Sequence, residues 1–462
     1  MSDDPIERQL AEAVTAEREG RIAEAAALLD GLGAALAERP MALHLSGVIA
    51  ARQGDFPRAA TLLDQAARLG ARRHLADADL ALVHRNRSEV HRRLLNPRAA
   101  VTAGRAALAL APDDPVTLNN LALAHFDALE IDAALACYDR AIALAPDDPA
   151  PRFGRGELLL AIGDYPQGWE GYAWRFRLPG VAPPLPPELA QSTPARPWRG
   201  RKLAGTLLLV ADQGFGDVVQ FARYIPWAAA RCTRLIVAAS PEMQPVIAQF
   251  PQIAGRIAAW DNLEKFAAWT TLSDLPALAG TSADSIPTAT LPYLEAAHED
   301  RLRWRARLDE LSAPGLRRIG LAWAGRANHP YDFARSAPLA ALAPLGETPG
   351  IAWIALQIGG AEAQIASQTW RAPLVNLAPE IATYADTMAI LASLDLLVTV
   401  DTSLAHIAGA MGLPCWVMLP RRADWRWSLR GTESAWYPSL RLFRQRRPGD
   451  WTQVAQDVAT AV

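Results

Sequence analysis

The chain has 462 residues, 51% of them hydrophobic, and a formal net charge of −3. Such a length exceeds one ordinary domain and provides for two or three cores. The near-neutral balance gives no case for a nucleic-acid or membrane-surface protein, and no apolar run reaches the ~18 residues of a membrane span.

Smaller features agree with that class. Cys137, Cys232 and Cys415 lie far apart and form neither a disulfide framework nor a zinc pattern. The start, MSDDPIERQL, is acidic and polar and does not read as a signal peptide. The expectation is a soluble cytoplasmic protein. Its basic residues are arginines apart from Lys202 and Lys265, which reads as coding bias rather than phosphate chemistry.

In chain order, repeats come first. Ala107–Pro115 reads ALALAPDDP and Ala141–Pro149 reads AIALAPDDP, 34 residues later. Turns follow the same period at Gly20-Arg21-Ile22, Gly54-Asp55-Phe56, Leu95-Asn96-Pro97, Leu129-Glu130-Ile131 and Gly163-Asp164-Tyr165. One interval is seven residues too long, which places an insertion near Arg85–Arg93. Alanines recur where helices must pack closely, at Ala25, Ala59, Ala60, Ala99, Ala133 and Ala134. This period and pattern resemble tetratricopeptide repeats over residues ~6 to ~178, in about five helix pairs. Such arrays bind peptides or proteins on a concave face. An array that only stiffens or dimerises the chain fits the same residues. The basic group Arg85, Arg87, His91, Arg92 and Arg93 reads as a solvated helix face or a contact for an acidic partner. Trp169, Tyr172, Trp174 and Phe176 are expected to cap the last repeat.

Pro179 to Arg199 holds seven prolines, at 179, 183, 184, 186, 187, 194 and 197. That density favours extended structure and excludes a helix, so this stretch reads as a linker or a strap.

Beyond it the pattern becomes β/α. Thr206–Ala211 (TLLLVA) is a buried strand running into Asp212-Gln213-Gly214-Phe215-Gly216-Asp217, after which a helix begins. Gly214 and Gly216 let the backbone turn tightly and approach a ligand. Asp217 reads either as a cap of that helix or as a carboxylate pointing into a cleft. Strands follow at Leu235–Ala238, Arg318–Ala324, Ile351–Gln357, Leu374–Leu377, Leu394–Val400 and Cys415–Leu419, with an Arg-rich helix at Glu299–Leu311. The last long motif, LLVTVDTSLAHIAGAMGLPCW from Leu396, joins strand, cap residues and helix with almost no loop. The open N–H groups and dipole of such a helix start favour a phosphate. His406 sits in its first turn. An ordinary α/β unit in which Asp401 only caps the helix fits as well. Two runs of β/α units joined near residues 312–317 predict two doubly wound domains facing one cleft.

The GxGD loop and the DTSLAH motif, with GLAWAG, DWRW and WYPSLRLFRQ, resemble the heptosyltransferase-like glycosyltransferases of family 9 type. The closer likeness is to the bacterial subgroup in which tetratricopeptide repeats precede such a domain. The resemblance covers about residues 200–455. It implies a GT-B fold: a solenoid over 1–178, a Pro-rich linker over 179–200, an acceptor-side Rossmann-like half over 201–314 and a donor-side half over 315–462. It implies an inverting transfer of sugar from a nucleotide-sugar, with no metal and no other cofactor. Asp217 falls on the general base, which a hydroxyl needs as it attacks an anomeric carbon. Asp401, Thr402, Ser403 and His406 fall at the donor diphosphate and sugar, together with the Gly214 and Gly216 backbone. Arg335 is the candidate cation for the departing diphosphate. Gln357, and Glu362 after Gly359-Gly360, are placed at the nucleotide. Trp425, Arg426 and Trp427 wall the cleft or stack in a core.

These residues leave three readings: a transferase whose repeats present a protein acceptor, a lipopolysaccharide or saccharide transferase whose repeats serve assembly, and a scaffold with an inactive second half. The first is favoured, because a peptide-binding array joined to a catalytic half is most simply a substrate reader.

Overall fold

The repeat period of the sequence becomes five helix pairs in the computed structural model, which describes residues 4–192, 195–260, 264–288, 290–368 and 370–462. The pairs are α1 (Pro5–Arg18) with α2 (Ile22–Asp30), α3 (Pro40–Arg52) with α4 (Phe56–Arg72), α5 (Asp77–Arg93) with α6 (Pro97–Leu110), α7 (Pro115–Asp127) with α8 (Ile131–Leu144), and α9 (Pro149–Ile162) with α10 (Tyr165–Tyr172). Packing divides the chain into two units, Met1–Leu158 and Leu159–Val462. The boundary expected at residue 178 follows the repeat period; the division by packing falls inside α9.

Local chemistry explains the helix starts. Asp4, Asp55, Asn96, Asp114 and Asp164 each cap a helix by accepting a backbone N–H, and proline follows in the first turn. The turn inside every pair uses a left-handed residue: Gly20, Gly54, Leu95, Leu129 and Gly163 have φ from +55° to +91°. Glycine adopts this region without strain, whereas leucine is held there by its surroundings. Ala25, Ala59, Ala100 and Ala134 hold one place in successive repeats and are fully buried, so their helices approach closely. Where Ala99 is expected at this contact its neighbour Ala100 makes it instead, and of Ala133 and Ala134 the second is the buried one.

The extra seven residues are not inserted near Arg85–Arg93. Helix α4 has 17 residues against 14 in α6 and α8, and α5 has 17 against 13 in α7. The α4–α5 hairpin is therefore lengthened by three and four residues. Its basic residues are engaged within the array. Arg85 pairs with Asp114 at 3.1 Å, Arg87 with Asp64 at 2.7 Å, Arg92 with Asp127 at 2.6 Å, and Arg93 lies over the Phe56 ring at 4.7 Å.

The second unit carries two parallel sheets. The first contains β1 (Arg196–Pro197), β2 (Leu203–Val210), β3 (Cys232–Ala238), β4 (Gly255–Ile257) and β5 (Ala268–Thr271), in the order β1-β5-β2-β3-β4. The second contains β6 (Arg317–Ala322), β7 (Ile351–Ala355), β8 (Leu374–Asn376), β9 (Leu396–Val400), β10 (Cys415–Leu419) and β11 (Leu440–Arg444). Read from one edge it runs β8-β7-β6-β9-β10-β11, the 3-2-1-4-5-6 order of dinucleotide-binding folds. Both centres are continuous apolar runs because parallel sheets are covered on both faces: Leu207, Leu208 and Leu209 in β2, and Leu396 to Val400 in β9, are buried. Strand β11 lies in the WYPSLRLFRQ motif and carries too short an apolar alternation to be read alone.

The Pro-rich stretch corrects one expectation. It contains a six-residue helix, Pro187–Ser192. Proline at the first helical position loses no hydrogen bond, so proline density did not forbid it. Leu185 packs with Leu208, Val210, Ile236 and Ala238 in the core of the first sheet, and Arg196–Pro197 pairs with Ala268–Trp269 at its edge. The stretch is a strap on that sheet. The aromatic run before it does more than cap a repeat. Tyr165, Trp169 and Tyr172 form one aromatic cluster with Phe221, Trp425 and Trp436 of the α/β fold.

Candidate functional site

The site grows from three loops at places where ligands settle in open α/β sheets. Strand β2 has β5 on one side and β3 on the other, and β6 has β9 and β7; the strand order reverses at both. The Asp212–Asp217 loop leaves the carboxyl end of β2. Asp401-Thr402 leaves that of β9, and Ala324-Gly325-Arg326 follows β6.

In the first loop, Asp212 is an anchor. Its carboxylate accepts from the Ser273 N–H at 3.1 Å and from the Ser273 hydroxyl, and faces Arg175 at 3.5 Å. Gln213 turns the chain at φ +65°, and Gly214 starts the helix Phe215–Ala222. Asp217 reaches back so that its Oδ2 accepts the Gly214 N–H at 2.9 Å, while its Oδ1 pairs with the Arg426 guanidinium. Three consecutive residues meet the second sheet's loops. The Phe215 ring lies beneath Arg326 at 4.1 Å and edge-on to Tyr384 at 5.5 Å. A Cβ on Gly216 would stand 2.7 Å from His406 Cδ2. Asp217 completes the set through Arg426.

The helix Ser403–Ala410 begins at Thr402, not Asp401, and Thr402 caps it with backbone geometry alone. The Thr402 hydroxyl lies 3.1 Å from that of Thr399, and the Ser403 hydroxyl 3.0 Å from that of Tyr384. Asp401 is thereby released from the capping role. Burial and the nearby Asp424 raise its carboxyl to about 6, against the pull of Arg335 and Arg426. His406 is buried, with Nδ1 3.1 Å from the Tyr437 hydroxyl and its ring 5.1 Å from that of Trp427. Burial, reinforced by Arg426, depresses it to about 3, so the ring is neutral across the physiological range. It is a packed neutral group against Tyr437 and Trp427.

Arg426 is the residue that sequence reasoning placed only as a wall. It lies over the Trp425 ring at 4.3 Å, pairs with Asp424 at 2.8 Å and with Asp217, and points Nη2 at the Tyr172 hydroxyl at 3.4 Å. Although burial would raise Asp424, Arg426 holds it below the usual carboxylate range. The DWRW motif carried this pair, but nothing in its spacing says that its arginine meets Asp217, 209 residues earlier.

Arg335 lies against Gly325, where a Cβ would come 2.5 Å from its guanidinium, and its Nε contacts Asp332 at 3.3 Å. Its charge reaches both Asp401 and His406. Gln357 and Glu362 are engaged with backbone groups. The buried Gln357 amide accepts the N–H groups of Trp323 and Ala324 at 2.9 and 2.8 Å, and donates to the carbonyls of Ala324 and Ile358. It clamps the ends of β6 and β7 together. Glu362 accepts the Gly360 N–H at 2.6 Å and holds the turn of Gly359 and Gly360, both at positive φ. A cavity of about 540 Å³ lined by Gln249, Glu295, His298, Arg301 and Met388 shares no residue with the site. Among the described residues, no cluster of His, Cys, Asp and Glu is arranged to hold a metal, and no helix is long and apolar enough to cross a membrane.

Fold and site together define a repeat protein whose second half is a two-sheet parallel α/β unit. The tetratricopeptide repeat family matches residues 119–168, so the helix pairs are tetratricopeptide repeats, and repeats of this kind present extended surfaces to protein partners. The chain is 30% identical over 339 residues to Protein FlbA of Caulobacter vibrioides, which covers 67% of this chain and 54% of that protein. It thus spans about half the length of that relative. Among solved structures, MamA from Desulfovibrio magneticus RS-1 is similar at 19% identity and TM-score 0.34, over 42% of this chain and all of that one. YrrB, described as a tetratricopeptide-repeat protein with an unusual peptide-binding site, is similar at 15% and 0.30, over 37% and 84%.

Proposed function

We propose that the α/β unit is a glycosyltransferase of GT-B type that moves a sugar from a nucleotide-sugar to a hydroxyl, and that the repeats hold a protein acceptor. The observation that carries this reading is the meeting of Phe215, Gly216 and Asp217 with the loops after β6, β9 and β10. A carboxylate for the acceptor proton and charges for a leaving diphosphate then belong to one group. In the reaction the acceptor oxygen attacks the anomeric carbon from the face opposite the diphosphate. Its proton passes to Asp217, the bond to the phosphate oxygen breaks, and the diphosphate departs with the electron pair. Arg335 and the open N–H groups of Ser403–Ala410 stabilise that charge. These groups serve as the electrostatic partners of the leaving group, the part a metal plays in other transferases. Asp401 with its raised pKa is a neutral donor below about pH 6 and an acceptor for sugar hydroxyls above it.

A thermal-shift screen of nucleoside diphosphates and nucleotide-sugars tests the donor half of the proposal. A ligand at a hundredfold excess over its dissociation constant stabilises the chain by about 2.7 kcal/mol. No shift with any nucleotide removes the enzyme reading and leaves an interaction scaffold. The acceptor half is tested by comparing the full chain with residues 159–462. Loss of transfer to protein with donor binding retained supports an acceptor-selecting array, because binding on the array sets the acceptor's effective concentration. Equal transfer by both moves the acceptor to a free saccharide.

A further inference from the structure

The Asp217–Arg426 pair has a third member that lies outside both sheets. Tyr172 ends α10, the last helix of the repeats, and its hydroxyl accepts from the same Arg426 Nη2 that pairs with Asp217, at 3.4 Å. The guanidinium is otherwise fixed on two sides, by Asp424 through Nη1 at 2.8 Å and by the Trp425 ring beneath it. Tyr172 supplies the remaining side. We infer that Tyr172 is a positioning residue for Asp217, acting through Arg426, so that the last repeat helix belongs to the reaction site. The inference rests on the transferase reading for its catalytic meaning and on geometry alone for the positioning.

The surroundings of Tyr172 are built to keep it in place. Only 4% of its surface is exposed. Trp169 and Trp425 meet its ring edge-on, each with centroids 5.9 Å away, and Arg175 lies over it at 4.8 Å. Both neighbours on the chain are tied to the first sheet's half. The Trp169 indole donates to the Thr281 carbonyl at 3.0 Å, and Arg175 donates to Thr271, Ser273 and Asp274 at 3.0, 2.7 and 2.7 Å. A hydroxyl held this firmly limits how far the guanidinium rotates, and the guanidinium fixes the Asp217 carboxylate relative to the acceptor. Burial raises the phenol above its ordinary range, so it stays protonated and carries no charge into the site. No proton is transferred at Tyr172 in this scheme.

The test is Tyr172→Phe in the full chain, which keeps the ring and removes the hydroxyl. With a donor found by the nucleotide screen, kcat should fall between about tenfold and hundredfold at unchanged donor KM, the size of effect that small misplacement of a catalytic group produces. The double variant Tyr172→Phe/Arg426→Gln should be no slower than Arg426→Gln alone, because the hydroxyl acts only through that arginine. Additive losses, or an unchanged kcat, overturn the inference. If the wild-type chain transfers no sugar from any donor, the transferase reading fails separately, and the crystal structure of Tyr172→Phe decides the positioning. Displacement of Arg426 from Asp217 supports it. An Arg426–Asp217 pair in its original place overturns it.

Discussion

Gly216 lies so close to His406 that a Cβ on the glycine would stand 2.7 Å from the imidazole Cδ2. One residue of the GxGD loop is thus required to lack a side chain by a histidine of the DTSLAH helix, and the two motifs are parts of one packed junction. Gly216→Ala should destabilise the chain by roughly 1–3 kcal/mol, the range for overpacking a filled core. Thermal denaturation measures it. A melting temperature equal to wild type would show that the His406 ring gives way freely.

Asp217→Asn keeps the side-chain shape and an oxygen for the Gly214 N–H while removing the proton acceptor. Transfer should fall by about 10²–10⁴-fold, the usual contribution of a general base, with affinity for the nucleoside diphosphate little changed. Steady-state kinetics under donor saturation give the first quantity and calorimetry the second. Undiminished turnover rules out the base role.

Asp401 and His406 make opposite contributions to stability with pH. The carboxyl of Asp401 is raised from 3.8 to about 6, so the folded state binds its proton more tightly. Its contribution is fully present below about pH 4 and is lost as pH rises through 6. The His406 ring is lowered from 6.5 to about 3, so its contribution is present above pH 6.5 and is lost as pH falls toward 3. Asp401→Asn should therefore gain stability relative to wild type between pH 4 and 7. The gain is on the order of 1–3 kcal/mol, because a tenfold change in proton affinity is worth about 1.4 kcal/mol. Parallel melting curves for the two proteins across that range would contradict the raised carboxyl.

Arg175 is almost fully buried and faces Asp212 and Asp274. Arg175→Met should cost about 3–5 kcal/mol, because removing one partner leaves a buried carboxylate uncompensated. Chemical denaturation followed by circular dichroism checks this. A chain cut in the strap at residue 179 loses the same arginine and should be less stable than one beginning at residue 159. Equal midpoints for those two pieces would contradict it.

Arg335→Ala should weaken binding of a nucleoside diphosphate, and more so at low salt, because its contact is ionic. Titrations at two ionic strengths check both parts. An affinity unchanged at either strength moves the phosphate site away from the loop after β6.

Much of the fold was legible in the sequence because it depends on period and local chemistry. The 34-residue spacing, the Asp-Pro helix starts and the left-handed turns are decided within a few residues of each other. Strands β2, β3 and β6 to β10 announced themselves as apolar runs, β10 with the bounds expected for it, Cys415–Leu419, while the short β1, β4 and β5 gave no such run. Short β11 and the helix inside the Pro-rich strap did not, since the first gains its stability from pairing with β10 and the second from packing of Leu185 on the first sheet.

The sequence by itself determined which residues carry charge and where helices begin: Asp217 at the head of one helix, Thr402 and Ser403 at the head of another. Tertiary structure alone decided what those charges meet. Nothing local states that Arg426 lies against Asp217, that Tyr172 of the last repeat backs Arg426, that Gln357 is consumed by backbone hydrogen bonds, or that burial makes His406 neutral and Asp401 a weak acid. The reason is physical. Helix starts and periodicity follow from bonds between near neighbours. The pKa of a side chain and the partner of a guanidinium depend on which distant surfaces are packed together and how much water they exclude.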